Sequence, residues 1–397
     1  MSKPDERADR PLGVETRLVT SGRDTIAQKG FVNPPVVHGS TVLYPSAEDL
    51  LAHRGEYTYG RTGTPTTRAL QDALIALEGP QCAGVGIAPS GVSAISTTLL
   101  AVLKSGDHIL VCDNAYRPTR NFCNDMLKRY GVETTYFDPM IGKGIAEFFQ
   151  PSTRAVIVEA PGSQSFEMPD IPAIAAIAHE RGALVIDDNT WATALYHRSL
   201  DQGVDISIQA ATKYIGGHSD IMFGTIAANE KAWPQLAQAI RLLGVCAGPD
   251  DVFLALRGLR TLSVRLAHHQ RSALEMAQWL AQRPEILRVL HPGLETDPGH
   301  AIWKRDFTGS SGLFGVVLKP APERAVHALL NTLTLFGMGY SWGGFESLVI
   351  PFDCSGYRTA TKWAPGGPTL RFHIGLESVD DLKADLATGF AAFNAAC

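Results

Sequence analysis

Val185-Ile186-Asp187-Asp188-Asn189-Thr190-Trp191 carries an apolar run, Ala183–Asp187, into a pair of carboxylates and a polar turn. The run reads as a short buried strand, and the segment before it, Ile171–Arg181, as a helix. The pattern repeats outward in both directions. Gly84–Ala88, His108–Cys112, Thr134–Phe137, Ala155–Glu159, Ile206–Ala210 and Thr225–Ala228 are further strand candidates, with helices such as Val92–Lys104 between them. Strand and helix in alternation predict a mostly parallel, seven-stranded sheet covered on both faces. Upstream, Leu70, Ala73, Leu74 and Leu77 fall at helical spacing, and Gly79-Pro80 ends that helix. Downstream, one long helical stretch is expected from about Asp250 to Arg283. A second strand-and-helix set beginning near Gly312 predicts a smaller α+β domain. Residues 1 to about 60 show little helical periodicity and read as an arm.

The 397 residues carry 35 Lys+Arg against 40 Asp+Glu, a formal charge of −5, which argues against a generic nucleic-acid or anionic-membrane binder. Hydrophobic residues are 45% and charged residues 19%, enough apolar content for a large core and too much for a disordered chain. Cys82, Cys112, Cys123, Cys246, Cys354 and Cys397 form no CxxC pair, so they read as reduced core thiols. Met1–Arg10 is polar with no apolar segment behind it, and no apolar run reaches membrane-spanning length. A cytoplasmic location is expected. His268-His269 is a poor metal site, because neighbouring helical residues face different sides; a solvated helix face is expected there.

Ligands of open α/β sheets collect where strands end and helices begin. Three such junctions stand out. Ala88-Pro89-Ser90-Gly91-Val92-Ser93 puts backbone N–H groups at a helix N-terminus, a setting that suits phosphate. A nicotinamide-dependent oxidoreductase would need a third glycine where Pro89 stands, which disfavours that reading. At the second junction Asp188 is either a helix cap or an acceptor for a cofactor's ring N–H. At the third, Ala210-Ala211-Thr212-Lys213-Tyr214-Ile215-Gly216-Gly217-His218, Lys213 is either a snorkelling surface lysine or a desolvated amine able to engage an aldehyde. A phosphate nest, a carboxylate and a lysine in that order on one sheet are together a constellation for pyridoxal 5'-phosphate (PLP).

With these motifs the chain resembles the Cys/Met-metabolism family of fold-type I PLP-dependent enzymes, from about residue 15 to 395, and within it the bacterial cystathionine β-lyase branch. The resemblance implies a large PLP-binding domain with a mostly parallel seven-stranded sheet and a smaller C-terminal α+β domain. The expected division is 1–62 (arm), 63–258 (PLP domain) and 259–397 (C-terminal domain). Asp188-Asn189-Thr190 and Thr212-Lys213-Tyr214 are similar to the family's ring-nitrogen and lysine motifs, and Asn114-Ala115-Tyr116 to the segment whose tyrosine stacks on the cofactor. Ser90, Gly91, Val92 and Thr212 are then expected at the phosphate.

In an extended Tyr57-Thr58-Tyr59-Gly60-Arg61 segment, Tyr57, Tyr59 and Arg61 share one face. By resemblance Tyr59 and Arg61 reach the cofactor of a neighbouring subunit, Tyr59 also meets the substrate, and the assembly is a homotetramer of dimers with shared sites. Arg371, in Leu370-Arg371-Phe372-His373, is a buried guanidinium that needs an anion. Glu377 is the internal option; by resemblance the substrate's α-carboxylate is the other, aided by Tyr340, Ser341, Trp342 and Tyr116. Thr64-Pro65-Thr66 and Glu159-Ala160-Pro161-Gly162-Ser163 depart from Asn-Pro patterns of many relatives. Ala210 replaces a serine, leaving Ser90, Thr212 and the backbone as phosphate donors. The implied function is PLP-dependent cleavage of L-cystathionine to homocysteine, pyruvate and ammonia in methionine biosynthesis and trans-sulfuration. The alternatives are γ-elimination or γ-replacement chemistry, or a non-catalytic protein that has kept the fold.

Overall fold

The computed structural model describes residues 12–397; residues 1–11, which hold the polar Met1–Arg10 stretch and the start of the expected arm, lie outside them. The larger sheet comprises β1 (Gly84–Ala88), β2 (His108–Cys112), β3 (Glu133–Phe137), β4 (Thr153–Val158), β5 (Leu184–Asp188), β6 (Ile206–Gln209) and β7 (Gly224–Ala228). Their order is β1-β7-β6-β5-β4-β2-β3. β7 is antiparallel to both its neighbours, so β1 runs with the rest and only β7 is reversed. Strands β1, β2, β6 and β7 are buried at every position, as a sheet covered twice requires. The pleat divides β2 between two cores. Leu110 joins Leu70, Leu74 and Ile174, while Ile109 and Val111 join Ile95, Leu99 and Leu236.

Helix Pro65–Glu78 starts with a capping box, in which Thr64 and Thr67 satisfy each other's backbone, a device worth about 1 kcal/mol. Gly79, at φ 100°, ends it. The smaller sheet has β8 (Ile286–Leu290), β9 (Leu313–Leu318), β10 (Leu348–Phe352) and β11 (Thr369–His373), antiparallel in the order β10-β11-β9-β8. Helices Leu262–Ala281, Glu323–Thr332 and Val379–Ala396 cover it through Met276, Leu280, Leu329, Leu386 and Phe390.

Four expectations need correction. The stretch Asp250–Arg283 is two helices, Pro249–Arg260 and Leu262–Ala281, broken at Thr261. There the threonine hydroxyl donates to Gly258 O and accepts from Arg265 Nε, competing with the helical ladder. The second strand set begins earlier than Gly312, at β8. The arm holds two helices, Val14–Thr20 and Ala47–Leu51, too short to register as a period in sequence. Finally, four thiols are buried, but Cys246 and Cys397, in a loop and at the last residue, are exposed. Among the described residues no helix is long and apolar enough to cross a membrane.

Candidate active site

β5 and β6 end side by side, Asp188 opposite Ile208. The next residues of each strand turn over the sheet edge, which places Asp188 and Lys213 on a common cavity of about 330 Å³. Thr190 couples the two turns: its hydroxyl donates to Asp188 Oδ1 and accepts from Ala210 N at 2.8 Å. Burial raises the Asp188 pKa, and the bonds from Thr190 and the charge of Lys213 oppose that rise. Asp187 points away into the sheet's other face, with His197 Nε2 3.8 Å from its carboxylate.

Lys213 Nζ donates to Ser341 Oγ at 2.6 Å and lies 5.4 Å from the Trp342 ring centroid. Burial, then the neighbouring Arg371 charge, push its pKa down to about 8, with Asp188 pulling the other way. Arg371 stands on β11, 9% exposed, and its Nη2 donates to Ser341 O at 3.2 Å. No carboxylate pairs with it among the described residues, and burial lowers its pKa to about 10. The internal option fails, because Glu377 accepts instead from Ser347 N and Oγ at 2.7 and 2.8 Å. Ser341, which meets both cations, has φ +92°, rare for a residue with a side chain.

Ser90 caps helix Gly91–Val102 by accepting from Ser93 N at 3.1 Å, so its own hydroxyl proton remains to be donated. The first-turn amides of Gly91 and Val92 have no acceptor within the helix. A Cβ on Gly91 would stand 2.7 Å from Ala210 Cβ, so only glycine permits this turn to sit on the end of β6. Thr212 lines the cavity, but its hydroxyl donates to Phe223 O and accepts from Phe223 N. Tyr116 stands on the cavity wall; its amide donates to Glu159 Oε2 at 2.6 Å. Tyr340 and Trp342 line the same cavity, Tyr340 at its mouth and 89% exposed.

Tyr59 and Arg61 do not join these residues within the chain. They line a separate cavity of about 670 Å³ with Arg241, and Arg61 Nη1 donates to Arg241 O at 3.0 Å. The single extended face expected for Tyr57, Tyr59 and Arg61 is absent. Gly60–Thr62 is a 3₁₀ turn packed on Gly39, where only glycine fits: a Cβ on Gly60 would lie 1.8 Å from Gly39 O. Glu159 and Thr190 were not singled out from sequence as site residues. Their positions just past β4 and β5, at the strand ends where ligands collect, were the available signal. His268 and His269 part as expected, but His269 is buried, with Nδ1 2.7 Å from Ile374 O, rather than solvated. Among the described residues no cluster of three or more His, Cys, Asp or Glu could hold a metal.

The sequence profile of the Cys/Met metabolism PLP-dependent enzymes matches residues 15–391. The chain belongs to that family. It is therefore a PLP-dependent enzyme, and the nicotinamide reading of the Ser90 turn falls away. The chain is 45% identical to a cystathionine beta-lyase of Salmonella typhimurium, over 95% of its own length and 98% of the relative's. It is 44% identical to cystathionine beta-lyase MetC of Escherichia coli, over 97% and 99%. Among solved structures, cystathionine gamma synthase from Xanthomonas oryzae pv. oryzae in complex with cystathionine matches with a TM-score of 0.89 at 32% identity. That match covers 98% of this chain and 100% of the other. The cavity fits PLP on its own chemistry: a depressed amine, a buried carboxylate, and a helix N-terminus cradle that a Cβ at 91 would fill.

Proposed function

We propose that this family member is a carbon–sulfur lyase that breaks the Cβ–S bond of L-cystathionine, releasing homocysteine, pyruvate and ammonia. The observation that carries the reading is Arg371: a buried guanidinium with no internal carboxylate, joined to the Lys213 amine through one serine. An amino acid's α-carboxylate is the complement to such a group. In this reading Ser90, Gly91 and Val92 hold the cofactor's phosphate, Asp188 its ring nitrogen, Tyr116 its ring face and Lys213 its aldehyde. When bound, PLP supplies an electrophile for the substrate's amino group and a sink for the electron pair of the Cα–H bond.

The remaining work falls to the chain. Arg371 grips the α-carboxylate while Ser341, Trp342 and Tyr340 border it. Lys213 takes the Cα proton; with its pKa brought down to about 8, a usable share of the amine is unprotonated at mildly alkaline pH, where an ordinary lysine would be fully charged. The Cβ–S bond then breaks, its pair leaves on sulfur, and the thiolate is protonated. Hydrolysis of the three-carbon remainder gives pyruvate and ammonia. The names of the two bacterial relatives support this bond.

A second reading is cleavage or replacement at Cγ, which needs a further proton transfer at Cβ that the same lysine can perform. The likeness to the solved γ-synthase favours it in three dimensions. Product analysis with cystathionine separates them: pyruvate supports β-cleavage, and 2-oxobutyrate overturns it. Tyr59 and Arg61 complete the site of a second copy in this proposal, within a homotetramer, which their placement outside their own chain's cavity supports. The arm to residue 62, the PLP domain to 258 and the remainder are the corresponding units.

A further inference from the structure

His373 lies two residues beyond Arg371 on β11, on the same face of the strand and 1% exposed. Nothing in the chemistry above uses it. Both of its ring nitrogens are taken by backbone of one turn: Gly343 N donates to Nε2 at 3.0 Å, and Nδ1 lies 3.0 Å from Glu346 O. A carbonyl oxygen cannot donate, so Nδ1 carries the proton; a nitrogen that accepts carries none, so Nε2 is bare. The two contacts therefore demand a neutral imidazole in one tautomer. The surroundings keep it so. Burial comes first and a coupling to the equally buried His269 second; the Arg371 and Lys213 charges add to them, holding the pKa well below the ordinary value against the bond to Glu346 O. The Tyr214 ring, 6.1 Å away, faces it with a phenol that burial raises, and so brings no charge.

The turn that His373 clamps is pressed against the reactive lysine. Gly343 has φ +86°, and a Cβ there would lie 2.8 Å from the Lys213 carbonyl carbon and 2.9 Å from its Cα. Two residues earlier stands Ser341, in its left-handed conformation, receiving Lys213 Nζ on its hydroxyl and Arg371 Nη2 on its carbonyl. From the β11 side Arg371 holds Ser341 O and Leu376 N donates to Phe345 O at 2.8 Å, which leaves Gly343 N and Glu346 O to His373. We propose that His373 is a positioning residue, a neutral Nδ1–H imidazole that clamps Gly343 and Glu346 and thereby fixes Ser341 between the Lys213 amine and the Arg371 guanidinium. The inference rests on the preceding reading only in taking Lys213 and Arg371 as the groups that meet substrate.

Three replacements separate clamping from packing. His373→Gln can place its amide oxygen near the position of Nε2 and keep the bond from Gly343. His373→Asn can keep only the bond to Glu346, and His373→Phe keeps the ring volume with neither. In the PLP-free protein, deuterium exchange of the peptide spanning 341–346 is expected to rise about tenfold in Asn and Phe and to stay near wild type in Gln. In the PLP-loaded protein, KM for the thioether is expected to rise about tenfold in Asn and Phe and less than about threefold in Gln, with a smaller change in kcat. Equal behaviour of Gln and Asn, or wild-type exchange and KM in Phe, overturns the proposal. Should Phe fail to fold, the Gln–Asn difference decides alone. A finding of 2-oxobutyrate as product would overturn the proposed reaction while leaving the exchange ranking, on which His373 stands or falls, unmoved.

Discussion

Two groups of buried charges are treated in opposite ways. Around Asp113, every charge is answered. Its carboxylate takes Arg120 Nη1 at 2.9 Å, Arg358 Nε at 3.2 Å, the amides of Thr359, Ala360 and Thr361, and the Thr361 hydroxyl. Arg358 turns its other nitrogens to Glu167 at 2.7 and 3.2 Å, and Arg120 lies 3.7 Å over the Tyr136 ring. Burial alone would raise Asp113, yet these donors bring its pKa down to about 2. Around Lys213 and Arg371 the cations share one serine, and burial is the first cause of both depressed values. A network whose every charge has an opposite charge holds the loop between β10 and β11 against the larger sheet; a pair of cations without one is left for a ligand to complete.

The largest expected effect on that contrast comes from Lys213→Ala. It should lower kcat by about ten-thousand-fold and remove the visible absorbance of bound PLP, while the PLP-free protein loses no stability in a denaturant titration. Near-normal turnover would break the assignment of this lysine. Asp113→Ala should do the reverse, costing about 3–5 kcal/mol in the same titration because Arg120 is left buried without its carboxylate and Arg358 keeps only Glu167. Arg371→Leu is expected to reduce kcat/KM about 100-fold, mainly through KM, with stability equal to or above wild type. A large stability loss there would mean that Arg371 has an internal partner after all.

The smallest effect is a titration. In the PLP-free protein, acylation of Lys213 should follow a midpoint near pH 8, and Arg371→Leu should move that midpoint upward by removing a positive neighbour. The sign carries to stability. The unfolded chain keeps this proton to about pH 10.4 while the folded one releases it near 8, so the residue's contribution destabilises below 8 and is relieved as pH rises through that window. A midpoint above pH 10 would contradict the desolvated amine.

The parts legible in sequence are those that neighbours along the chain decide. Asp188 and Lys213 each follow an apolar strand directly, so a parallel sheet brings them to one edge whatever the remaining packing. Leu70, Ala73, Leu74 and Leu77 disclose their helix by spacing and are all buried. What stayed hidden depends on distant partners. Gly60 must be glycine because Gly39 is beside it, Thr261 breaks a helix through its own hydroxyl, and Glu377 is claimed by Ser347 rather than Arg371. The Asp113 network joins residues about 245 positions apart, which no local pattern can announce. The Thr212 hydroxyl likewise meets Phe223 across a turn, a pairing no local pattern announces.

The contact between Gly343 and the Lys213 backbone also divides the cavity wall for anyone redesigning this enzyme. Bulk added at 343 must displace the lysine's own main chain, so substrate range cannot be altered there without disturbing the reactive amine. Three positions earlier, Tyr340 is 89% exposed and can be exchanged for larger or smaller groups at little cost to the scaffold. A library confined to the mouth would thus explore the far end of the substrate while the chemistry beneath it stays constant.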